Sequence, residues 1–435
     1  MTNRKASRRN FLKGTALASG AALLNPSPLW GIAPQGERIK VGLVGCGGRG
    51  TGAAVQALAA DKGVVIWAMA DAFQDRLDSS LANLLKSDDQ DRVDVAADRR
   101  FVGIDAIDKL LPLVDVVLLC STPSFRPAQL AKAVAAGKHI FCEKPVCVDS
   151  VGYRSVIESV KIARAKNLTL VSGFCWRSSS PERAIVGEIL GGRLGVVVGV
   201  TSTYLTSPLG TRPREAGWSD FDFQLRNWQH FNWLSGDHLV EQAVHSVDKI
   251  NWVMGGRHPT KCTGLGSRFC REDKPEFGDI YDNFTVVYEY ENGPRATMIA
   301  RQQPNCYNDN TDWITGTKGY AWINGWAPTH WIKDYDGKTL WSYPKDGEAP
   351  NMYQVEHDTL FKSIRDGRSI NEGEFMADSC LMAIMGRMSA YSGRQVTWEE
   401  ATTGNENLTP PSLSDPMPVG DAPRPGSTTS GAAKS

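Results

Sequence analysis

Two groups of ionisable side chains have the types and spacing of proton-transfer catalysts. Lys144 follows an apolar run of strand length, and a lysine there can exchange a proton with a bound hydroxyl. Glu241, His245 and Asp248 are spaced so that one helix would present all three on one face. A substrate with several hydroxyls would supply partners for such a face. The plainer alternatives are a surface lysine, a solvated helix face, or a core histidine satisfied by a neighbouring carboxylate.

A glycine-rich turn near the start of the chain predicts a dinucleotide site. A strand-like run, 39–44, leads into it, and helix-forming residues follow. The first glycine would allow the tight turn, the second would let the backbone approach a pyrophosphate, and the third would permit close helix packing. The residues of this turn predicted to bind the cofactor are Gly45, Gly47, Gly48, Arg49 and Gly50. A glycine turn with a purely structural role is the alternative.

An acidic residue at the end of the next predicted strand refines this site. Asp71 lies about twenty residues beyond the turn, the offset at which dinucleotide folds hold the adenosine ribose. Its carboxylate can accept hydrogen bonds from both ribose hydroxyls and would repel a 2′-phosphate. NAD is therefore predicted, and NADP is less favoured. A helix-capping role for Asp71 is the alternative.

The overall composition argues against a charge-driven partner. The chain has 435 residues, and 48 lysines and arginines balance 48 aspartates and glutamates. No net field favours nucleic acid or an acidic membrane surface, so a small-molecule partner is predicted. Thirteen tryptophans, most of them after residue 170, indicate an aromatic-lined cleft or, alternatively, ordinary core packing. Nine cysteines are scattered singly, and their spacing predicts neither a metal site nor a disulfide scaffold.

The first residues predict an export signal. Arg8 and Arg9, followed by an apolar pair and Lys13, precede a weakly apolar run, 14–24, in the arrangement of a twin-arginine leader. That run is too short and too rich in glycine and alanine to span a bilayer stably, so a removed or loosely associated leader is expected. Periplasmic localisation follows as a prediction, with a disordered basic tail as the alternative. No later segment predicts a membrane span.

The elements that would position these residues fall into two halves. Between 38 and 176, apolar runs alternate with stretches of helical periodicity, which indicates βαβ units around a parallel sheet. The predicted strands are 39–44, 64–70, 114–120, 139–143 and 168–174. The predicted helices are 53–60, 76–85, 127–136 and 153–166. Asp71 and Lys144 would lie at the carboxyl ends of strands, where such sheets bind ligands.

After residue 176 the pattern changes to short alternating strands with glycine and asparagine turns, which predicts a mostly antiparallel sheet. The predicted strands include 196–204, 283–290, 295–301 and 319–324, and the predicted helices are 236–254, 355–365 and 374–393. The chain is thus predicted to comprise a signal and linker (1–35), a dinucleotide-binding domain (36–176), a substrate domain (177–404) and a disordered tail (405–435).

Together these features resemble the Gfo/Idh/MocA oxidoreductase family over residues 38–400. The motifs that carry the resemblance are Gly45 to Gly50, Glu143-Lys144-Pro145, the segment 236–248, Gly316-Thr317-Lys318-Gly319, and the segment 389–394 leading into Trp398. The resemblance implies an α/β fold in which a Rossmann domain precedes an α+β domain with a large open, mostly antiparallel sheet. It also implies that Lys144 is the catalytic lysine and that His245 lies near the reacting hydroxyl. The further cofactor-binding residues that it implies are Thr122, Pro123, Glu143 and Lys144 itself.

Three departures from the family pattern concern the site. Glu241 replaces an aspartate, Ser235-Gly236-Asp237 replaces three glycines, and the usual asparagine and histidine are missing around 124–127. The longer carboxylate of Glu241 could still orient His245. The resemblance therefore implies the cofactor more firmly than it implies any particular substrate.

The resulting hypothesis is reversible hydride transfer between a nicotinamide cofactor and a carbon of a sugar, a polyol or a related glycoside. Lys144, helped by His245, would take the hydroxyl proton, and Glu241 would hold the imidazole in one tautomer. Further substrate contacts are predicted at Arg177, Arg226, Trp228 and Asp248. A homo-oligomer is expected.

Two other functions use the same parts. A glycoside hydrolase or lyase would retain NAD permanently and act through a transient keto-sugar, which suits an exported protein that cannot readily exchange NAD outside the cytoplasm. A non-catalytic sensor or scaffold that kept the fold is the third hypothesis, because fold does not imply function.

Overall fold

The computed structural model describes residues 37–426 apart from positions 273, 345 and 418. The predicted twin-arginine segment lies outside the described residues.

The first half of the described chain forms a parallel sheet covered by helices. Its strands are β1 (Ile39–Val44), β2 (Val64–Asp71), β3 (Arg100–Val102), β4 (Val116–Leu119), β5 (His139–Cys142) and β6 (Leu170–Ser172). They lie side by side in the order β3-β2-β1-β4-β5-β6. Because β4, β5 and β6 are buried along their whole length, both faces of the sheet are covered, as parallel sheets require. This is the doubly wound order of a Rossmann domain, so the predicted fold class is confirmed.

Helices alternate with these strands. They are α1 (Gly48–Ala60), α2 (Gln74–Leu84), α3 (Ala106–Leu110), α4 (Arg126–Ala135) and α5 (Ser150–Ala165). The predicted strands and helices all appear, with bounds shifted by a few residues. The strand β3 was not predicted, because it is only three residues long and two of them are exposed.

The second half forms a large, mostly antiparallel sheet. Its strands are β7 (Val197–Thr206), β8 (Lys261–Ser267), β9 (Asn283–Glu289), β10 (Arg295–Gln302), β11 (Thr311–Gly316), β12 (Gly319–Asn324), β13 (Trp331–Lys333), β14 (Thr339–Ser342) and β15 (Val396–Thr397). They lie in the order β14-β13-β12-β11-β7-β10-β9-β8-β15, and only β7 and β10 pair in parallel among these described strands. The predicted open, mostly antiparallel sheet is confirmed.

One face of this sheet packs on helices, and side chains on the other face are exposed. The helices of this half are α6 (Ser180–Leu190), α7 (Asp220–Arg226), α8 (Asn232–Ser235), α9 (Asp237–Glu241), α10 (Val244–Val253), α11 (Met352–Asp366), α12 (Gly373–Ser392) and α13 (Trp398–Thr403). Tyr288 of β9 donates its hydroxyl to the carbonyl of Met382 on α12. On the opposite face Leu265 and Trp313 remain 70% and 46% exposed.

The predicted helix 236–254 is wrong in one respect. It is broken into α9 and α10 by a turn at Gln242 and Ala243. The amide of Ala243 bonds the carbonyl of His238 five residues back, which is the pattern of a π-bulge. Its consequence for Lys144 is described below.

The chain returns to the first sheet near its end. Leu360, Phe361 and Ile364 of α11 are buried in the same apolar cluster as β1 and α1. Arg365 reinforces this contact, because its Nε lies 2.8 Å from Asp61 Oδ2. The domain bounds 36–176 and 177–404 stay predictions, and α11 lies against the first sheet although its sequence belongs to the second half.

The described part of the predicted tail differs from a disordered segment. The amide of Leu408 donates to Asp149 Oδ2 at 2.9 Å, and Glu406 pairs with the buried Arg387. Met417 is buried among aromatic rings of residues 221–233. Scattered apolar side chains such as Met417 therefore pack part of this Pro- and Ser-rich stretch against the rest of the chain. None of the helices in the described part of the chain is long and apolar enough to cross a bilayer.

Candidate active site

A cavity of about 580 Å³ lies at the carboxyl ends of β1, β2 and β4. Seven of the predicted cofactor-binding residues line it, namely Gly45, Gly47, Gly48, Arg49, Gly50, Asp71 and Thr122. Residues 210–212, 225, 226, 228 and 229 of the second half line the opposite wall. The cavity is therefore formed between the two halves of the chain.

The glycine loop has the geometry that a pyrophosphate requires. Gly45 has φ +93°, a left-handed conformation that favours glycine, and it turns the chain from β1 into α1. A Cβ on Gly50 would lie 1.9 Å from the carbonyl oxygen of Gly45, so any other residue would force helix and strand apart. A Cβ on Gly47 or Gly48 would meet open space, which leaves the amino end of α1 free to face an anionic group.

Asp71 braces the same loop. Its Oδ2 accepts a hydrogen bond from the amide of Cys46 at 2.6 Å, and its Oδ1 accepts one from the amide of Phe73 at 2.9 Å. Burial raises the pKa of Asp71, and these two amides oppose the shift because they stabilise the ionised form. The Asp71 carboxylate thus holds the glycine loop and the loop that follows β2, and it also lines the cavity.

Lys144 meets the broken helix of the second half. Its Nζ donates to the backbone carbonyl of Glu241 at 2.6 Å and lies 3.5 Å from Glu241 Oε1. The amide of His245 would bond this carbonyl in a regular helix, but it bonds the carbonyl of Gln242 instead. The bulge between α9 and α10 therefore frees an acceptor for the lysine, and Lys144 and Glu241 are held together across the two halves.

His245 is buried beside them. Its ring lies 5.2 Å from that of Trp176 and edge-on to Phe174 at 5.9 Å. Burial, followed by the ammonium groups of Lys144 and Lys249, lowers the pKa of His245 well below its ordinary value. The imidazole is therefore neutral at neutral pH, and it can accept a proton.

Comparison with known proteins identifies this arrangement. The model of the oxidoreductase family with an NAD-binding Rossmann fold matches residues 39–174, and the model of the Gfo/Idh/MocA C-terminal domain matches residues 188–322. Together they span more than half of the chain. The chain belongs to the Gfo/Idh/MocA oxidoreductase family. The glycine loop and Asp71 lie within the matched NAD-binding domain, and the cavity that they line is called the dinucleotide cavity.

Two curated dehydrogenases are similar to the chain over part of their length, and a solved structure is similar over nearly all of its length. Trans-1,2-dihydrobenzene-1,2-diol dehydrogenase of Sus scrofa is 25% identical over 280 residues, which are 61% of this chain and 76% of that protein. Inositol 2-dehydrogenase of Rhizobium meliloti (strain 1021) is 28% identical over 217 residues, which are 50% of this chain and 58% of that protein. A structure of levoglucosan dehydrogenase with NADH and levoglucosan has a TM-score of 0.65 at 18% identity, covering 83% of this chain and 99% of that chain.

Glu241 does not make the hydrogen bond to His245 that its predicted role requires. Among the described residues, Nδ1 of His245 has no hydrogen-bond partner, and neither has the buried Oε2 of Glu241. The prediction that Glu241 orients the imidazole assumed a continuous helix. Because the bulge breaks that helix, Glu241 contacts Lys144 instead.

Glu143 lies behind the glycine loop rather than in the cavity wall. Its Oε1 is 3.0 Å from Nε of Arg49, and its Oε2 accepts a hydrogen bond from the amide of Lys144 at 3.1 Å. Arg49 in turn lies over the ring of Tyr353 on α11. Glu143 therefore joins the glycine loop to the lysine.

Arg126 is a residue of the site that the sequence did not reveal. Its guanidinium donates to the carbonyls of Pro145 and Ser121 at 2.7 and 2.6 Å, which ties the loop of Lys144 to the loop of Thr122. A cation in the first turn of a helix opposes the helix dipole, and this was the only available signal of another role. Thr122 lines the cavity, whereas Pro123 is buried at the start of a short helical turn beside it.

Arg177 and Asp248, two of the predicted substrate contacts, are paired with each other. The guanidinium forms two hydrogen bonds of 2.9 and 2.8 Å with the two carboxylate oxygens, and Ser379 donates a third at 2.7 Å. The arginine also lies over the ring of Phe375, 4.1 Å from its centre. Both charges are thus satisfied by the protein itself.

The other two predicted substrate contacts, Arg226 and Trp228, line the dinucleotide cavity. Arg226 forms two hydrogen bonds with Asp75 at 3.0 and 2.9 Å and lies 3.9 Å above the ring of Phe73. Among the described residues, Arg226 and Trp228 make no hydrogen bond, ion pair or ring contact with Lys144 or His245. The sequence could not reveal this, because the segment 207–231 crosses from one half of the chain to the other.

Proposed function

We propose that this family member transfers a hydride between NAD and a hydroxyl or keto carbon of a sugar, a polyol or a glycoside. The observation that carries the proposal is the meeting of Lys144 with Glu241, beside a neutral His245, at the sheet edge that forms the dinucleotide cavity. The bound NAD supplies the hydride acceptor or donor at its nicotinamide ring. The protein supplies the site for the hydroxyl proton.

The proton path is assigned to two side chains. Lys144, in its neutral amine form, takes the hydroxyl proton of the substrate during oxidation and becomes the ammonium, and the carbonyl of Glu241 fixes the position of its Nζ. His245, being uncharged, accepts a hydrogen bond from a neighbouring hydroxyl of the substrate and so helps to hold the reacting hydroxyl against Lys144. Glu241 is proposed as the group that holds Lys144, and not as the group that orients His245.

A ring-shaped substrate with several hydroxyls is supported by two kinds of observation. The relatives named above are dehydrogenases of an inositol and of a cyclic diol. In this chain Trp326 is 56% exposed and lies 5.3 Å from Trp176, whose ring contacts His245. Exposed indole rings stack on the C–H faces of sugars, so we propose Trp326 as a platform for the substrate.

The decisive experiment is Lys144→Ala. We expect the affinity for NAD, measured by protein fluorescence, to remain nearly that of the wild type, while turnover falls by about 10²–10⁴-fold. The substrate is first found by a thermal-shift screen of sugars, polyols and glycosides on NAD-loaded protein. The exposed Lys62, replaced by alanine, is the control for charge. Full turnover in Lys144→Ala would disprove the assignment.

Glycoside hydrolysis or elimination with retained NAD is a second candidate. The wall of residues 210–212, 225, 226, 228 and 229 covers the dinucleotide cavity, and the ion pair between Arg226 and Asp75 fastens it. Such a cover favours slow release of NAD. Quantifying NAD in freshly purified protein, and then comparing net NADH formation with glycoside cleavage, separates the two candidates.

NAD rather than NADP is proposed on the position of Asp71, whose carboxylate lines the cavity and would repel a 2′-phosphate.

Export by the twin-arginine route to the periplasm is proposed on Arg8 and Arg9 alone. Replacing both arginines by lysine should retain the protein in the cytoplasm, as measured by cell fractionation. An unchanged periplasmic fraction would contradict this route.

Homo-oligomerisation is proposed on the open face of the second sheet. Trp313, Trp322 and Trp331 lie in register on neighbouring strands of that face. An extended aromatic surface of this kind is typical of a protein interface.

A further inference from the structure

A second buried ion pair lies directly behind His245. Lys249 follows one turn later on α10 and is 1% exposed, and its ammonium group pairs with Asp312 of β11, whose side chain is 2% exposed. The same Nζ lies 3.9 Å from the centre of the Trp176 ring. Lys249 therefore has two partners, one carboxylate and one indole face.

Trp176 joins this pair to the imidazole. Its ring lies 5.2 Å from that of His245 and 6.4 Å from that of Tyr204 on β7. His245, Trp176, Lys249 and Asp312 thus form one continuous buried series. Each residue of this series contacts the next one. Neither Lys249 nor Asp312 has a role in the proposed proton transfer.

Stability alone does not account for the pair. Removing two charges from water costs about as much as their attraction returns, and apolar replacements of buried ion pairs are often neutral or stabilising. A cation held in a dry interior does act strongly on its neighbours, because little solvent screens it. His245 lies one turn before Lys249 on the same helix, and the charge of Lys249 is, after burial and Lys144, one of the causes that lower the pKa of His245.

We infer that Lys249, paired with Asp312 and seated on Trp176, is a positioning residue that disfavours a positive charge on the imidazole of His245 and holds its ring in place. The inference rests on the proposed function, because it supposes that His245 must be free to accept a hydrogen bond or a proton. It assigns to Asp312 the task of holding the ammonium group of Lys249 against the ring of Trp176.

The other groups that face His245 act alongside Lys249. Lys144 approaches from the loop after β5, with Glu241 beside it, and the rings of Phe174 and Trp176 exclude water from the imidazole. Burial and Lys144 also lower the pKa of His245, so Lys249 contributes only part of the shift. Removing it should therefore raise the titration midpoint of His245 without bringing it to that of an exposed histidine.

The test compares the double variant Lys249→Met/Asp312→Asn with Lys249→Arg. The double variant removes both charges and leaves no buried ion unpaired, whereas arginine keeps the cation. Nuclear magnetic resonance of histidine-labelled full-length protein, freed of cofactor, gives the titration midpoint, and His245→Gln identifies the signal. We expect the midpoint to rise by about one pH unit in the double variant and to stay unchanged in Lys249→Arg.

Enzyme kinetics give a second measurement. The acidic limb of kcat/KM should move to higher pH by the same amount in the double variant, and Lys62→Met should leave it unchanged. The unfolding temperature shows whether the double variant is folded. A folded double variant in which His245 keeps the wild-type titration midpoint would overturn the inference, because a purely structural pair changes stability alone. The resonance experiment needs no substrate, so its failure is distinguishable from failure of the proposed reaction in Lys144→Ala.

Discussion

Arg177 and Asp248 show how neighbouring side chains can satisfy each other before any substrate arrives. Asp248 is buried and Arg177 is partly buried, and the guanidinium lies over the ring of Phe375. Replacing Arg177 by methionine would leave the Asp248 carboxylate in a dry site with Ser379 as its remaining donor. We expect the free energy of unfolding to fall by about 3–5 kcal/mol, measured by urea denaturation.

The same variant separates this structural role from the predicted substrate contact. If Arg177 bound substrate, Arg177→Met would raise KM while leaving the urea midpoint near that of the wild type. Arg177→Lys is the matched control, because it keeps the charge and loses the forked geometry. We expect an intermediate loss of stability in that variant.

Asp71 performs two tasks at once, and its replacement should affect both. Asp71→Ser removes the carboxylate that accepts from Cys46 and Phe73, so the glycine loop loses its brace. It also removes the charge that would repel a 2′-phosphate. We expect NAD to bind at least about tenfold more weakly, and the preference for NAD over NADP to shrink, in titrations of both cofactors.

Asp71→Asn is the matched control for this experiment. The amide keeps one acceptor and nearly the same shape, so the brace is partly retained while the charge is lost. If the wild-type chain bound NADP as tightly as NAD, the assignment of Asp71 to cofactor selection would be wrong.

At the scale of elements, the segment 207–231 acts as a cover on the dinucleotide cavity. Arg226 fastens it to α2 through two hydrogen bonds with Asp75 and contact with Phe73. We expect Arg226→Met to accelerate release of bound NADH about tenfold, measured by stopped-flow fluorescence with excess NAD as competitor. The unfolding temperature should change little, because Asp75 is mostly exposed and can return to water.

Arg214→Met provides the control for this cover. Arg214 also forms an ion pair, with Asp220 on α7, but it does not line the cavity. An equal acceleration in both variants would mean that loosening the segment anywhere has the same effect, and that Arg226 has no special part in retaining the cofactor.

The elements also show what the sequence could and could not predict. Buried parallel strands such as β1 and β5 are mostly apolar, and their bounds were predicted within a residue because burial on both faces favours that composition. The turn at Gly45 was predictable for a similar reason, since a left-handed conformation followed by close helix packing calls for glycine.

The break between α9 and α10 was not predictable in this way. It depends on the approach of Lys144, a residue from the other half of the chain, to a carbonyl that a regular helix would use itself. The partners of Arg177 and Arg226 depend likewise on contacts between distant segments. Periodicity places side chains on faces, and it says nothing of which distant residue each face will meet.

At the scale of the whole molecule, buried neutral histidines predict a loss of stability in acid. Burial lowers the pKa of four of them to about 4 or about 3, and they are His139, His230, His238 and His357. Because the unfolded chain binds these protons first, each histidine lowers stability as the pH falls from about 6.5 towards 4.

Buried carboxyl groups with a raised pKa act in the opposite direction, and Asp237 and Asp279 are two examples. Burial raises the pKa of Asp237 and of Asp279 to about 6, so the folded chain binds their protons first, and their contribution is lost as the pH rises through that range. Each of the four histidines steepens the fall of stability between pH 6 and 4 by about 1.4 kcal/mol per pH unit. Urea midpoints measured across this range give the slope. His357→Leu should change the slope by about one proton, and an unchanged slope in that variant would contradict the prediction.

The open face of the second sheet decides whether the molecule functions alone. Residues along β11, β12 and β13 place Trp313, Trp322, Trp331 and Tyr320 on this face, and their rings contact one another. A tryptophan at the centre of an interface commonly contributes about 2 kcal/mol or more, so a glutamate at Trp313 should weaken a dimer by at least about thirtyfold.

Light scattering coupled to size-exclusion chromatography measures this directly. We expect the wild-type chain to have a mass of two or more copies, and Trp313→Glu to shift it to the monomer at micromolar concentration. Tyr307→Ser is the matched control, because Tyr307 is 77% exposed on the loop between β10 and β11. A wild-type monomer would contradict the proposal. A monomeric Trp313→Glu that retains the wild-type affinity for NAD would place the interface and the dinucleotide cavity on independent parts of the molecule.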